Sequence, residues 1–466
     1  MDDKLKDIFA DEPTTTVAIV GDKKKTSIKI IAIITAVVIV LSVCAFVGGI
    51  VVGRNTGIGG DMPLMVEVYE LIKKYYYKDI SWESFQEMAA AYFAGSLDAF
   101  SGIVSSGDSS VVSSSVGIQI TSSIYNEKII SFVAPDMPAY SAKAVKKYDE
   151  NNNPDLTFNP DVDEVRMREG DKIIAVGKKG DETPIVVESM DSTYFREVLN
   201  SFAYENEMLY IVKKYDGNGG YLEGSCAFEI TKTFEAMKGA YYYPYSGDVG
   251  IIKYTQFNRD TDADFVDCIE QFVREGKKKL ILDLRDNGGG ELTSLQYVAQ
   301  YLLNNPNNEQ LPIMNLISNV GYGKEESAII TSYAENYFDE HLQDAYPLSK
   351  KIKDFDIVVL TNGNTASASE GLIGALQYYN GTQIVGTKTY GKGVAQRTFD
   401  LSNGDTLYVT NGRYFIPTKD ENNLLEWTVT IHETGFTPLP ENEIDDRIAD
   451  YSMDKCVQRA MQIFGY

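Results

Sequence analysis

The chain has 466 residues, enough to bury a large core and, at about 150 residues per domain, to form roughly three units. Its 43 Lys plus Arg against 67 Asp plus Glu leave a formal net charge of −24, which argues against nucleic acid and anionic membrane surfaces as partners. A hydrophobic content of 44% with 11% aromatics is that of a globular chain. Only two histidines occur, His341 and His432, so a histidine-rich metal site is excluded. Four cysteines without a CxxC pair argue against a zinc ribbon or a dense disulfide scaffold. Neither a disulfide, a metal nor a cofactor is expected.

The first element is apolar. From Ile30 to Gly53 no charge interrupts about 24 residues, which at helical rise span roughly 36 Å against a hydrocarbon core of about 30 Å. A cleaved signal peptide has a shorter apolar stretch, about 7–15 residues, and a small-residue cleavage site. Val43 before Cys44 disfavours lipoprotein processing. Lys23, Lys24, Lys25 and Lys29 precede the segment and Arg54 alone follows it. The positive-inside bias therefore makes 1–27 a cytoplasmic tail, 28–53 one transmembrane helix and everything beyond an extracellular part on the cell membrane.

Residues 54–105 read as a helical arm. Leu64, Val68, Leu71 and Ile72, then Phe85, Met88, Ala89 and Tyr92, recur at three- and four-residue spacing. Ser81 and Ser84 offer an N-terminal cap. The arm is also the candidate surface for a homodimer. Ser101–Ser115 is polar and serine-rich, a linker.

A second unit, 110–215, alternates like strands. It opens on Gly117-Ile118-Gln119-Ile120, continues through Lys128–Val133 and a short helix near Pro138, and then meets a loop over 146–163 rich in Asn, Asp and Pro. The turn Glu169-Gly170-Asp171 feeds a strand to Val176, Ser192–Ser201 has helical spacing, and Met208–Lys213 is a last strand. In this order GIQI, the strand, PAYSA and REGDKIIAV resemble a PDZ domain. That resemblance implies capture of a peptide C-terminus as an added strand, its carboxylate at the loop of Gly117, Ile118, Gln119 and Ile120.

From 216 to 466 strands and helices alternate, which predicts an α/β core with parallel strands. Strands are expected at 248–254, 279–284, 356–361 and 383–386, and helices at 262–275, at 368–379 and from the glycine turn to 303. Two segments of this core could carry chemistry. Asp286-Asn287-Gly288-Gly289-Gly290 leaves backbone N–H groups uncovered before a helix, as a phosphate site, an oxyanion site or a plain turn would. Thr365-Ala366-Ser367-Ala368-Ser369-Glu370 follows a buried strand and opens a helix, which suits an exposed nucleophile or a helix cap.

A third segment, Gly386 to Gln396, chooses between them. It nearly spells a P-loop, but Gly393 stands where the magnesium-binding hydroxyl belongs and a strand follows where a helix is required. Lys392 instead fits a base for Ser367, provided burial keeps its amine neutral.

DLRDNGGG, TASASE and GTKTYGKGVAQ in this order resemble the carboxyl-terminal processing, or tail-specific, serine peptidases. The resemblance implies an α/β, ClpP/crotonase-like peptidase core preceded by a PDZ domain and a helical arm. It assigns the nucleophile to Ser367, the general base to Lys392, a lysine-orienting role to Gln396, and the oxyanion hole to the backbone N–H groups of Gly290 and Ala368. The implied function is a membrane-anchored serine endopeptidase acting on proteins with free C-termini. The competing expectation is an inactive PDZ-containing scaffold on the same fold. Acyl-CoA chemistry on a crotonase-like core is disfavoured by the outward-facing topology.

Overall fold

The computed structural model describes Tyr69 and residues 81–466, apart from 96, 99–100, 105–114, 123–124, 204, 218, 306, 308, 322–323, 333–354, 402–405 and 446–450. The expected tail and transmembrane helix, the first half of the arm and His341 lie outside these residues. Among the described residues no helix is long and apolar enough to cross a membrane. The chain divides into two compact units, 1–90 and 91–466. In the first, Tyr69 packs edge-on against Trp82 at 4.8 Å and beside Phe85 at 5.3 Å. Ser81 caps the helix Trp82–Gly95, its Oγ accepting the Ser84 N–H at 3.0 Å.

In the second unit, the larger sheet system has two halves of opposite character. Strands Val249–Tyr254, Lys279–Asp283, Asp356–Thr361 and Gln383–Gly386 run parallel, with Ala240–Pro244 antiparallel at one edge. Their near-continuous Val, Ile and Leu content follows from burial on both faces. One face is covered by the helices Asp262–Arg274, Leu292–Leu302 and Ala368–Asn380 through Phe265, Phe272, Leu295, Val298 and Leu372. The other face receives the helix Lys455–Ile463 through Cys456, Val457 and Ala460. The second half is antiparallel and built around the long strand Thr406–Lys419, which pairs with Gly102–Val104, Val394–Asp400, Pro312–Gly321 and Leu425–Val429. The parallel expectation thus holds for one sheet only. Periodicity in 394–429 could not reveal its partners, because strands of either sense alternate alike.

A separate seven-stranded sheet occupies 118–231. Three expectations are corrected here. The strand Ser225–Thr231 pairs with Glu207–Lys213, so this unit runs past the expected end at 215 and the glycine-rich turn lies inside it. Lys146–Tyr148, expected as loop, pairs with Ser225–Ala227. Gly102–Val104, expected as the end of the arm and start of a linker, is a strand of the core. Lys146–Tyr148 and Gly102–Val104 are only three residues long and take partners far along the chain, so they carry little local signal.

Phe228 is fully buried in the core of the small sheet. Phe228→Ala is expected to cost about 3–5 kcal/mol there. Hydrogen exchange should show protection lost across 118–231 and retained in 249–386; equal loss in both would contradict this assignment.

Candidate active site

The site forms where three loops meet at the C-terminal ends of parallel strands, the position at which open α/β sheets place ligands. Lys279–Asp283 leads into the glycine loop, Asp356–Thr361 into the Ser367 turn, and Gln383–Gly386 into the Lys392 loop.

Ser367 stands at the N-cap of the helix Ala368–Asn380 with φ 57° and ψ −118°. A non-glycine residue there carries backbone strain of about 1–3 kcal/mol. The surroundings impose it. Asn287, fully buried, accepts the Ala366 N–H and the Ser369 hydroxyl on its carbonyl, each at 3.0 Å. Its side chain accepts the Gly289 N–H at 2.9 Å and donates to the Tyr254 carbonyl at 3.0 Å. Gly289, with φ 95°, lies so close that a Cβ there would sit 2.7 Å from Ser367 Cβ and 2.8 Å from the Ala368 nitrogen. Only glycine allows this approach. Among the described residues, no other backbone group takes up the N–H of Gly290 or of Ala368.

The carboxylate of Glu370, fully buried, joins this turn to the lysine loop. Its Oε2 accepts the backbone N–H of both Ser367 and Lys392 at 2.9 Å. Its Oε1 accepts the Thr389 hydroxyl at 2.6 Å and the Gly391 N–H at 2.8 Å. The buried Tyr414 adds a second tie, its hydroxyl donating to the carbonyls of Ser367, at 3.0 Å, and of Lys392. Ser367 and Lys392, which the sequence pairs only by motif order, are therefore held together by their main chains. Burial lowers the Lys392 pKa below the ordinary lysine value, opposed by the negative charge of Asp98.

Beneath the glycine loop lies an ion cluster. Asp283 binds Arg285 through both oxygens, at 3.0 and 2.7 Å, and Arg285 reaches Asp454 at 2.7 Å. Lys253 lies 3.5 Å from Asp283. Burial alone would raise the Asp283 pKa, but the guanidinium of Arg285 and the ammonium of Lys253 outweigh it and hold the carboxyl below its usual range.

The remaining expected residues lie nearby or apart. Gln396 donates to Thr410 Oγ1 at 3.3 Å, so its hydrogen bond runs to Thr410. Ile118, Gln119 and Ile120 lie on the edge strand Ile118–Ser122 of the small sheet. Gly117 precedes that strand with φ 85°, and its N–H is given to Ser115 Oγ at 3.0 Å. Strand and site are linked by Asn364, which donates to Thr121 Oγ1 at 3.1 Å and to Asp286 Oδ1 at 2.7 Å. Glu370, Tyr414, Asn287, Asn364 and Asp98 were not singled out from the sequence. Of these only Glu370, three residues after a serine at a helix start, had a readable signal, the capping-box spacing.

Residues 248–429 match the family described as Peptidase family S41. A probable CtpA-like serine protease of Staphylococcus aureus (strain bovine RF122 / ET3-1) is 34% identical over 175 residues, 38% of this chain and 31% of that protein. A probable CtpA-like serine protease of Staphylococcus saprophyticus is 31% identical over 235 residues, 49% of this chain and 42% of that protein. The chain thus spans less than half the length of these relatives. Among solved structures, the photosystem II D1 C-terminal processing protease superposes with a TM-score of 0.46 at 20% identity, over 81% of this chain and 86% of that one.

Glu370→Gln keeps the volume but turns an acceptor of four donors into a mixed group. The variant is expected to lose about 3 kcal/mol or more of stability in urea titrations, since at least one buried donor is left facing an amide N–H₂. An unchanged midpoint would contradict the role given to this carboxylate.

Proposed function

We propose, for a chain that belongs to peptidase family S41, the carboxyl-terminal processing peptidases, that Ser367 and Lys392 form a serine–lysine dyad that hydrolyses peptide bonds. The observation that carries this reading is the shared acceptance of the Ser367 and Lys392 N–H groups by one oxygen of Glu370. A dyad needs two side chains presented from a common, unmoving base, and two main chains fixed to one carboxylate supply it.

The steps follow from this arrangement. Neutral Lys392 Nζ accepts the proton of Ser367 Oγ as Oγ bonds to the scissile carbonyl carbon. The oxyanion that forms is received by the N–H groups of Gly290 and Ala368, neither of which has another backbone partner among the described residues; Ala368 opens the helix Ala368–Asn380. Lys392 then returns its proton to the departing amine, and water attacks the acyl-enzyme with Lys392 again as base. Gln396, through Thr410, braces the strand that begins two residues after Lys392.

The small sheet fits a PDZ-like role. Its strand Ile118–Ser122, which among the described residues stands at the edge of the sheet, offers one side to an extended peptide. A free protein C-terminus added there would have its carboxylate near the Gly117–Ile120 loop, with the Gly117 N–H engaged by Ser115. The uncharged segment Ile30–Gly53 supports anchoring in the cell membrane with the peptidase outside. Protein substrates with free C-termini complete the reading.

Ser367→Ala and Lys392→Ala are each expected to reduce hydrolysis of an unstructured protein substrate by about a thousandfold or more, with the thermal melting point little changed. Wild-type-like turnover in either would overturn the dyad. Because burial shifts Lys392 toward its neutral form, kcat/KM should climb with pH as the ammonium loses its proton, with a midpoint below the ordinary lysine value. A flat profile between about pH 5 and pH 9 would contradict a lysine base.

A further inference from the structure

The two donors of the proposed oxyanion hole come from separate segments. Gly290 ends the loop that follows the strand Lys279–Asp283, and Ala368 opens the helix that follows Asp356–Thr361. Their spacing is set by how one segment is fastened to the other. One fastening is the Asn287 carbonyl, which takes the Ala366 N–H and the Ser369 hydroxyl. A single point of attachment leaves the angle between two segments free, and a second is needed to fix it.

The second lies further out. Asn364 Nδ2 donates to Asp286 Oδ1 at 2.7 Å, a short, charge-assisted bond. The buried Asn362 supports both ends of it, its Oδ1 accepting the Asp286 N–H at 2.9 Å and the Asn364 N–H at 3.1 Å. Asp286 stands at φ 61°, a left-handed conformation that a non-glycine residue keeps only where its surroundings impose it. At the other end of the glycine loop Phe257 donates to the Gly289 carbonyl and accepts the Glu291 N–H, each at 2.9 Å. Asp286 and Phe257 thus hold the loop from its two ends, with Gly290 in the span between them.

Asn364 has a second amide hydrogen, and its Nδ2 also donates to Thr121 Oγ1 at 3.1 Å, on the strand Ile118–Ser122. One side chain therefore fastens the glycine loop, the nucleophile turn and the small sheet. An amide suits the place: a carboxylate at 364 would repel Asp286, and a hydroxyl has one hydrogen for two acceptors.

We propose that Asn364 is a positioning residue for the oxyanion hole: with Asp286 it sets the separation of the Gly290 and Ala368 N–H groups, and through Thr121 it makes the small sheet part of that setting. This rests on the dyad reading above. Asn364 acts only through the segments it joins.

The test uses the full chain and two ligands built on one acetylated alanine tripeptide. The aldehyde is attacked at carbon by Ser367 Oγ, which puts its former carbonyl oxygen in the oxyanion position; the corresponding alcohol forms no such adduct. Asn364→Ala is expected to weaken the aldehyde about tenfold or more while the alcohol binds as before. On an unstructured protein substrate kcat should fall by a similar factor with KM little changed. A merely structural loss would weaken both ligands together and overturn the proposal, as would equal aldehyde affinity in the native chain and Asn364→Ala.

An exchange of donor and acceptor gives the second arm. Asn364→Asp alone sets two carboxylates face to face and should lower kcat at least as far as Asn364→Ala. Adding Asp286→Asn should restore it, because the new amide donates to the new carboxylate and the Thr121 hydroxyl can donate there too. No recovery in this pair overturns the proposal, and the pair carries the test if Asn364→Ala does not fold. Thr121→Val should lower kcat about threefold and Thr121→Ser restore it; an unmoved kcat in Thr121→Val overturns the part given to the small sheet. A preference for aldehyde over alcohol that survives Ser367→Ala would instead overturn the dyad reading on which the proposal rests.

Discussion

The buried carboxylate of Glu370 is the constraint on which the site depends. A fully buried anion is costly unless its oxygens are saturated, and here four donors from two separate segments satisfy it. Moving either the Ser367 turn or the Lys392 loop would leave that charge partly bare. The arrangement is therefore stiff for an electrostatic reason, and Tyr414 reinforces it by linking the carbonyls of the same two residues. The strained backbone of Ser367 is tolerable because this network and the Asn287 hydrogen bonds hold it from both sides.

Near that centre lies a second set of buried charges. The acid–base cluster of Asp283, Arg285, Lys253 and Asp454 is internally matched and fixes the floor of the glycine loop. Lys392 is half-buried, and burial lowers its pKa below the ordinary lysine value. One strand, Thr406–Lys419, thus supports the base, carries Tyr414 and docks the segment bearing Asp98. Three roles on one long strand explain why its pairing partners come from such distant parts of the chain.

Much of this was legible in the sequence, and the remainder was hidden for identifiable reasons. The strands at 279–283, 356–361 and 383–386 were readable because burial on both faces gives continuous apolar runs, and the helix at 262–274 because one face is apolar. Ser367, Lys392 and the glycine loop were readable as motifs. The strand Ser225–Thr231 was misassigned because a glycine-rich turn looks like a boundary whether or not the chain comes back to the same sheet. Asp98, Thr410 and Tyr414 were invisible because their partners are set by sheet register, which no local pattern records.

The central claim is that Ser367 and Lys392 act as one chemical unit. It is tested most directly by the rate and site of acylation by a fluorophosphonate, read by mass spectrometry on the native chain and on Lys392→Met, a neutral replacement of similar length. Label confined to Ser367, formed about a hundredfold or more slowly in the variant, is the predicted result. Label on another residue, or an equal rate in both chains, would contradict it.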